Sequence, residues 1–323
     1  MRYHRKGVIG AIALVVGLVL AACGSGDDAE GPGTTGSADT TETTAAPDGP
    51  AITIGAQDFG ESAILAEVYR QVLENAGYEV SIQPLGGFRD IVLGAFEGGD
   101  INFTPEYAAS MLEFLNEQQG EATGDAEETT ELLRGYLSEL GLVAYAPSPA
   151  IDTNAFVVTP ETSEEHGISA ISDLAGHEAD LTLGGPPDCE TNPFCIPGLQ
   201  DVYGIDFSGS FTPLDAGSVT VQALAAGEID VAVLFSTSGI IADRGWILLE
   251  DDQSMLAADN VVPVLTEELD QAYGEEFRAL VDEVSAAMTT EDLTELNRQF
   301  DIEARDAEDI ALDWLTENGF VDG

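Results

Sequence analysis

The chain has 323 residues, 44% of them hydrophobic, with 60 acidic and 10 basic side chains giving a formal net charge of −50 at pH 7. So acidic a surface repels nucleic acid and anionic lipid and argues against both as partners. It is also what a salty medium tolerates, because dense counterions screen the self-repulsion; biased genome composition is a competing explanation.

The N-terminus opens with Arg2, His4, Arg5 and Lys6, continues through an almost wholly apolar run over 7–21 and ends Leu20-Ala21-Ala22-Cys23. An apolar stretch of roughly 15 residues is shorter than the ~20 a spanning helix needs, so 1–22 reads as a signal peptide. Leu-Ala-Ala-Cys resembles the lipobox of bacterial lipoproteins, which implies that Cys23 carries the lipid and holds the protein on the outer face of the cytoplasmic membrane. Residues 24–50 contain only Gly, Ser, Thr, Ala, Pro, Asp and Glu. Such a segment cannot bury enough apolar surface to offset its ordering entropy, and 23–50 reads as a tether.

From Ala51 apolar runs alternate with Gly and Pro signals. A strand is expected at 51–55, a helix at 61–75 and a strand at 79–83. Further helices are expected at 88–97, 106–118, 127–140, 218–226, 275–288, 291–299 and 306–318, with strands near 100–104, 142–145, 154–159, 180–183 and 229–234. This alternation argues for an α/β architecture with open sheets.

Beyond Cys23 the only cysteines are Cys189 and Cys195, in a proline-rich loop. In an oxidising compartment a pair so spaced is most simply a disulfide. Half a metal site is the alternative, but zinc wants four ligands, and beyond the leader the chain has just His166 and His177. No metal and no cofactor are expected.

One internal echo stands out. Residues 92–102 (VLGAFEGGDIN) match 220–230 (TVQALAAGEID) in pattern at an offset of 128. Each reads as a helix ending at glycine, Gly99 or Gly227, followed by a buried strand starting at Ile101 or Ile229. The same offset pairs Tyr107 with Phe235 and Ser110 with Ser238. An aromatic and a hydroxyl thus recur just beyond a strand's carboxyl end, where open α/β sheets place ligands.

Segments 54–62 (IGAQDFGES), 99–107 (GDINFTPEY), 152–159 (DTNAFVVT), 171–174 (ISDL), 197–200 (PGLQ), and 311–315 (ALDWL) with Asn318-Gly319 resemble, in order, the substrate-binding proteins of osmoprotectant ABC transporters. The resemblance implies a two-lobed periplasmic-binding-protein fold with two hinge crossings and the ligand in the inter-lobe cleft. It places lobe one at 51–152 plus 260–323 and lobe two at 153–259, as a monomer serving an ABC permease. The family's ligands are glycine betaine, choline, carnitine and similar quaternary amines.

The ligand set this implies is Gln57, Asp58, Phe59, Tyr107, Ser110, Asp152, Thr153, Asn154, Asn192, Phe235, Ser236, Asp259 and Asn260. A trimethylammonium group is recognised by the negative faces of aromatic rings, and a ligand carboxylate needs cationic or N–H donors. Tyr107 matches a cage tyrosine, and Phe235 keeps a ring face without the usual hydroxyl. Asn154 and Asp259 fall where relatives with complete cages carry aromatics. Gln57 replaces a frequent lysine, and Asn192 lies near a frequent arginine. With only the distant Arg89 and Arg244 near the matched motifs, a carboxylate-bearing betaine lacks an ionic partner, and a choline-like polar cation fits better. A non-quaternary or uncharged aromatic ligand, or a sensory role, stays open; so do a core role for Phe235 and a capping or solvated role for Asp259. Catalysis is not expected: there is no Gly-x-Ser-x-Gly elbow, and both histidines sit in segments that look like surface turns.

Overall fold

The computed structural model describes residues 49–214 and 217–322. The signal peptide and Cys23 lie outside these residues. In chain order the elements are β1 (Ile52–Ala56), α1 (Gly60–Asn75), β2 (Val80–Pro84), α2 (Arg89–Gly98), β3 (Phe103–Tyr107), α3 (Ala108–Leu115), α4 (Ala126–Ser138) and β4 (Leu142–Ala144). There follow β5 (Asn154–Val158), α5 (Pro160–His166), β6 (Leu183–Gly185), a single turn α6 (Ile196–Gly198), β7 (Phe211–Pro213), α7 (Ser218–Ala226), β8 (Val231–Phe235), α8 (Gly239–Asp243) and β9 (Ile247–Leu248). The chain closes with β10 (Val261–Thr266), α9 (Glu267–Ala287), α10 (Thr290–Asp301) and α11 (Ala307–Glu317).

The strands form two five-stranded mixed sheets with the same plan. The first runs β2-β1-β3-β10-β4 and the second β7-β6-β8-β5-β9. In each, three parallel strands are followed by one that runs antiparallel to its neighbours on both sides. The internal echo is therefore structural: β3 and β8 occupy the same place in their sheets at the offset of 128. Gly99 and Gly227 each end a helix in the left-handed region, at φ 73° and 68°, where a side chain would be strained.

Period-two burial gives each sheet two covered faces. In the first sheet Ile52, Ile54, Phe103 and Leu265 pack with α1, α9, α10 and α11, while Val262 and Val264 pack on the opposite side with α2, α3 and α4. In the second, Phe156, Val158, Val231 and Val233 face the disulfide loop and short helical turns, and Val157, Ala232 and Leu234 face α7 and α8. The chain passes from first to second sheet between β4 and β5 and returns between β9 and β10. The two crossings run side by side and antiparallel: Ile151 bridges Asn260, and the Asp152 N–H donates to the Asp259 carbonyl at 3.1 Å.

Several expected boundaries shift. The strand expected at 100–104 is β3 at 103–107, because Asp100 and Ile101 still bond back to Ala95 in the turn after α2. The helix expected at 106–118 accordingly starts only after Tyr107, which is extended. Strands expected at 180–183 and 229–234 are β6 and β8, displaced toward higher numbers. The helix expected at 275–288 begins at Glu267, capped by the Thr266 hydroxyl, and kinks at Gly274. Elements α5, α8, β7, β9 and β10 were not expected. His166 ends α5 rather than lying in a turn, and its ring meets His177 edge-on. Pro50, at the end of the expected tether, is held to the folded body by the Tyr273 hydroxyl, which donates to its carbonyl at 2.7 Å.

Candidate functional site

The parallel strands β1, β2 and β3 end at Ala56, Pro84 and Tyr107, and β6, β7 and β8 end at Gly185, Pro213 and Phe235. The residues immediately beyond these ends carry the candidate site. Tyr107 is 6% exposed; its hydroxyl donates to Glu61 Oε1 at 2.5 Å, and its ring lies 6.2 Å from that of Phe59. Phe235 is 40% exposed, so it is not a core residue, and it is paired across the ladder with Asn154. The two echo aromatics thus differ in setting. One is locked by a hydrogen bond, and the other presents an open ring.

Beneath the rings lies a buried polar floor. Gln57 donates from Nε2 to Glu106 Oε1 at 3.2 Å. Arg89, expected to be distant, bridges Glu106 at 3.1 Å; the Glu106 side chain is wholly buried and Arg89 about a quarter exposed. This corrects the reading of Arg89 as distant from the matched motifs. The reason is positional: Arg89 opens α2 directly beside β3, a neighbourhood that sequence separation hides. The guanidinium is nonetheless already engaged.

Asp259 is buried, not solvated, and it acts as a cap. Its carboxylate accepts the Ser110 N–H at 3.0 Å and the Ser110 hydroxyl at 2.5 Å, in the first turn of α3, where Tyr107 supplies no side-chain cap. Burial pushes Asp259 up to about 6, against the hydrogen bonds from Ser110 and the field of Arg89. Asn260 donates to the Ser148 carbonyl at 2.8 Å, while its own side-chain oxygen has no partner among the described residues.

On the first crossing Asp152 accepts the Thr237 N–H at 3.2 Å and lies 2.9 Å from the Thr237 hydroxyl. Thr153 and Ser236 exchange bonds, Thr153 N–H to Ser236 Oγ at 3.0 Å and Ser236 N–H to the Thr153 carbonyl at 2.9 Å. Burial raises the carboxyls of Glu61 and Asp152 above the ordinary range, and proximity to Glu61 adds to the effect on Asp152. Burial, then the neighbouring Glu61, raises the Tyr107 hydroxyl well above its usual value.

Gln57, Asp58 and Phe59 also line a hollow of about 410 Å³ at the ends of β1 and β2, closed by Leu85, Glu67 and Phe300; Tyr107, Phe235 and Asp259 are not part of its wall. Asp58 itself is exposed. Asn192 turns inward on its own loop, where its side-chain oxygen accepts the Phe194 N–H at 2.9 Å. That loop carries the Cys189–Cys195 disulfide, Cα atoms 5.1 Å apart, and meets the site through Asn154, which donates to the Phe194 carbonyl at 3.2 Å.

The structure therefore brings Gln57, Tyr107, Ser110, Asp152, Asp259 and Asn260 into one bonded floor, with Thr153, Asn154, Phe235 and Ser236 at the second sheet's end. Sequence reasoning missed Glu61, Arg89, Glu106, Thr237 and Asn297. Glu61 and Glu106 lie inside quoted motifs, which could have singled them out; Asn297 had no such signal.

The fold is shared with known proteins. The substrate-binding domain of the ABC-type glycine betaine transport system matches residues 50–317. The glycine betaine-binding protein YehZ of Escherichia coli is 24% identical over 279 residues, covering 84% of this chain and 91% of the relative. The glycine-betaine-binding protein of Pseudomonas aeruginosa is 26% identical, covering 83% and 88%. Among solved structures, a glycine betaine/carnitine/choline ABC transporter protein superposes with a TM-score of 0.70 at 24% identity, covering 83% of this chain and 99% of that one. Apo YehZ of E. coli gives 0.65 at 23%, covering 84% and 99%. With a family match over most of its length, the chain belongs to the substrate-binding domains of ABC-type glycine betaine transport systems.

Proposed function

We propose that the protein captures a small polar cation, a choline-like quaternary amine, between lobe one (51–152 plus 260–323) and lobe two (153–259). Its family makes it an extracytoplasmic solute-binding component that hands a small molecule to an ABC permease, not an enzyme. Phe59, Tyr107 and Phe235 supply ring faces for the ammonium group. Gln57, Ser110, Asn154, Ser236 and Asn260 supply hydrogen bonds to a hydroxyl, and Asp152 and Asp259 supply charge. Thr153 sets the crossing backbone, while Asp58 and Asn192 stand at the margin.

One observation carries the choice of a cation. Among the described residues the floor holds four carboxyl groups, Glu61, Glu106, Asp152 and Asp259, against the guanidinium of Arg89, which Glu106 already bridges. A ligand carboxylate would have to displace Glu106 from Arg89 and strand it buried, which costs several kcal/mol, on the order of 3–5. An ammonium group meets no such obstacle. Closure of the lobes then follows from tighter contact in the closed state.

The anchor belongs to the same reading. Lipid on Cys23 and the tether over 24–50 keep a monomeric receptor beside its permease and raise its effective concentration there. Substitution tests the cleft: Tyr107→Ala and Phe235→Ala should each weaken choline binding about tenfold, in line with about 1–2 kcal/mol per desolvated ring contact. Unchanged calorimetric affinity in both variants, with circular dichroism intact, overturns the assignment of the rings.

A further inference from the structure

Glu61 stands in the first turn of α1, Asn297 lies in α10, Asp152 is on the first crossing and Thr237 follows β8; all four side chains are buried. Thr237 thus carries a hydroxyl from the second sheet into a surround supplied by the first. Its Oγ1 lies 2.7 Å from Glu61 Oε2 and 2.9 Å from Asp152 Oδ1, and it accepts from Asn297 Nδ2 at 3.1 Å. Asn297 Nδ2 also donates to Glu61 Oε2. The other oxygen of Glu61 accepts the Tyr107 hydroxyl.

Counting hydrogens decides the protonation of this join. A threonine hydroxyl has one hydrogen and two lone pairs. Asn297 Nδ2 divides two hydrogens among Glu61 Oε2, Thr237 Oγ1 and the Thr237 carbonyl at 3.3 Å, and the single hydroxyl hydrogen serves one carboxyl group. The other carboxyl group must then donate, which an ionised carboxylate cannot do. Two anions on one hydroxyl, both out of water, would also leave charge uncompensated. The charged and titratable neighbours offer no rescue: Glu61 faces Tyr107 from β3 and Asp301 from α10, and Asp152 faces Asp259. Arg89 is held by Glu106, and Arg298, next to Asn297 on α10, is held by Glu295 and Glu303. Burial raises both carboxyls, in the direction the count requires.

We propose that Glu61 is a positioning residue of the cleft: through Thr237 it shares one proton with Asp152, and the join fixes the Tyr107 ring relative to the second sheet. This rests on the reading of Tyr107 as a ligand-facing wall. A Gln at 61 can still accept from Tyr107 and donate to Thr237, with the Asn297 amide turned so that its oxygen faces the new NH2, whereas an Ala can do neither.

Infrared spectra of the full chain at pH 8, without ligand, test the proton. The wild type minus Glu61→Gln and wild type minus Asp152→Asn differences should each show the loss of one protonated-carboxyl carbonyl band. Spectra without such a loss overturn the shared proton. Titration with choline tests the positioning: Glu61→Gln should bind within about threefold of wild type, and Glu61→Ala at least tenfold more weakly. Wild-type affinity in Glu61→Ala overturns it. A wild-type protein that binds no choline overturns the ligand reading instead, and the bands still decide the join.

Discussion

Asp259 caps a helix to which it does not belong, and that role makes the cleft sensitive to pH. Its carboxyl sits at about 6 against an ordinary 3.8 because it is buried. Between those values the folded chain holds more protons than the unfolded one, so this group's contribution to stability falls as pH rises through the window. The same ionisation adds a negative charge to the floor, at the first turn of the helix that follows Tyr107. Choline affinity should therefore rise about fivefold between pH 5 and 7 with a midpoint near 6, a gain on the order of 1 kcal/mol. Titrations of Asp259→Asn across that range should show no such step; a step of equal size in the variant would assign it to another group. At this scale the echo made Tyr107 and Phe235 legible in the sequence. The floor was only partly legible: Glu61 and Glu106 stand in the quoted motifs, but as two acids among sixty they are set apart by their burial.

Elements with strong local signals were readable, and those defined by tertiary pairing were not. Helices α1 and α4 have clear apolar periodicity, and α7 ends at the glycine expected. Strand β10 went unseen although it is an inner strand of the first sheet, antiparallel to both neighbours, because Pro263 interrupts its apolar run and proline argues against an inner strand. Across the ladder Pro263 faces Pro105, so the same disfavoured residue recurs on the partner strand. Strands β7 and β9 are three and two residues long and exist only as additions to neighbours. The disulfide loop is held by contrast through a covalent link. Closing so short a loop restricts the unfolded chain by about 2 kcal/mol, so reduction should lower the unfolding free energy by that amount and the urea midpoint with it. It should also weaken ligand binding modestly, because the loop carbonyl of Phe194 orients Asn154. A reduced protein with an unchanged midpoint would show that the loop is fixed by its packing against Leu199 and Phe207 instead.

For the whole molecule, two sheets of one plan meet through two antiparallel crossings, and the ends of their parallel strands carry the rings and the polar floor. The common order of strands explains why a single sequence offset located corresponding positions in both halves. A net charge of −50 surrounds this site with a field that draws cations inward and repels anions, in the same sense as the floor itself. The selectivity between ligands with and without a carboxylate is therefore the property in which scaffold, floor and surface agree. Calorimetric titration of the full chain at pH 7 with choline and with glycine betaine measures it directly. Choline is expected to bind at least tenfold more tightly; glycine betaine binding as tightly as choline, or more so, would contradict the cation reading and require Arg89 to leave Glu106 for the ligand.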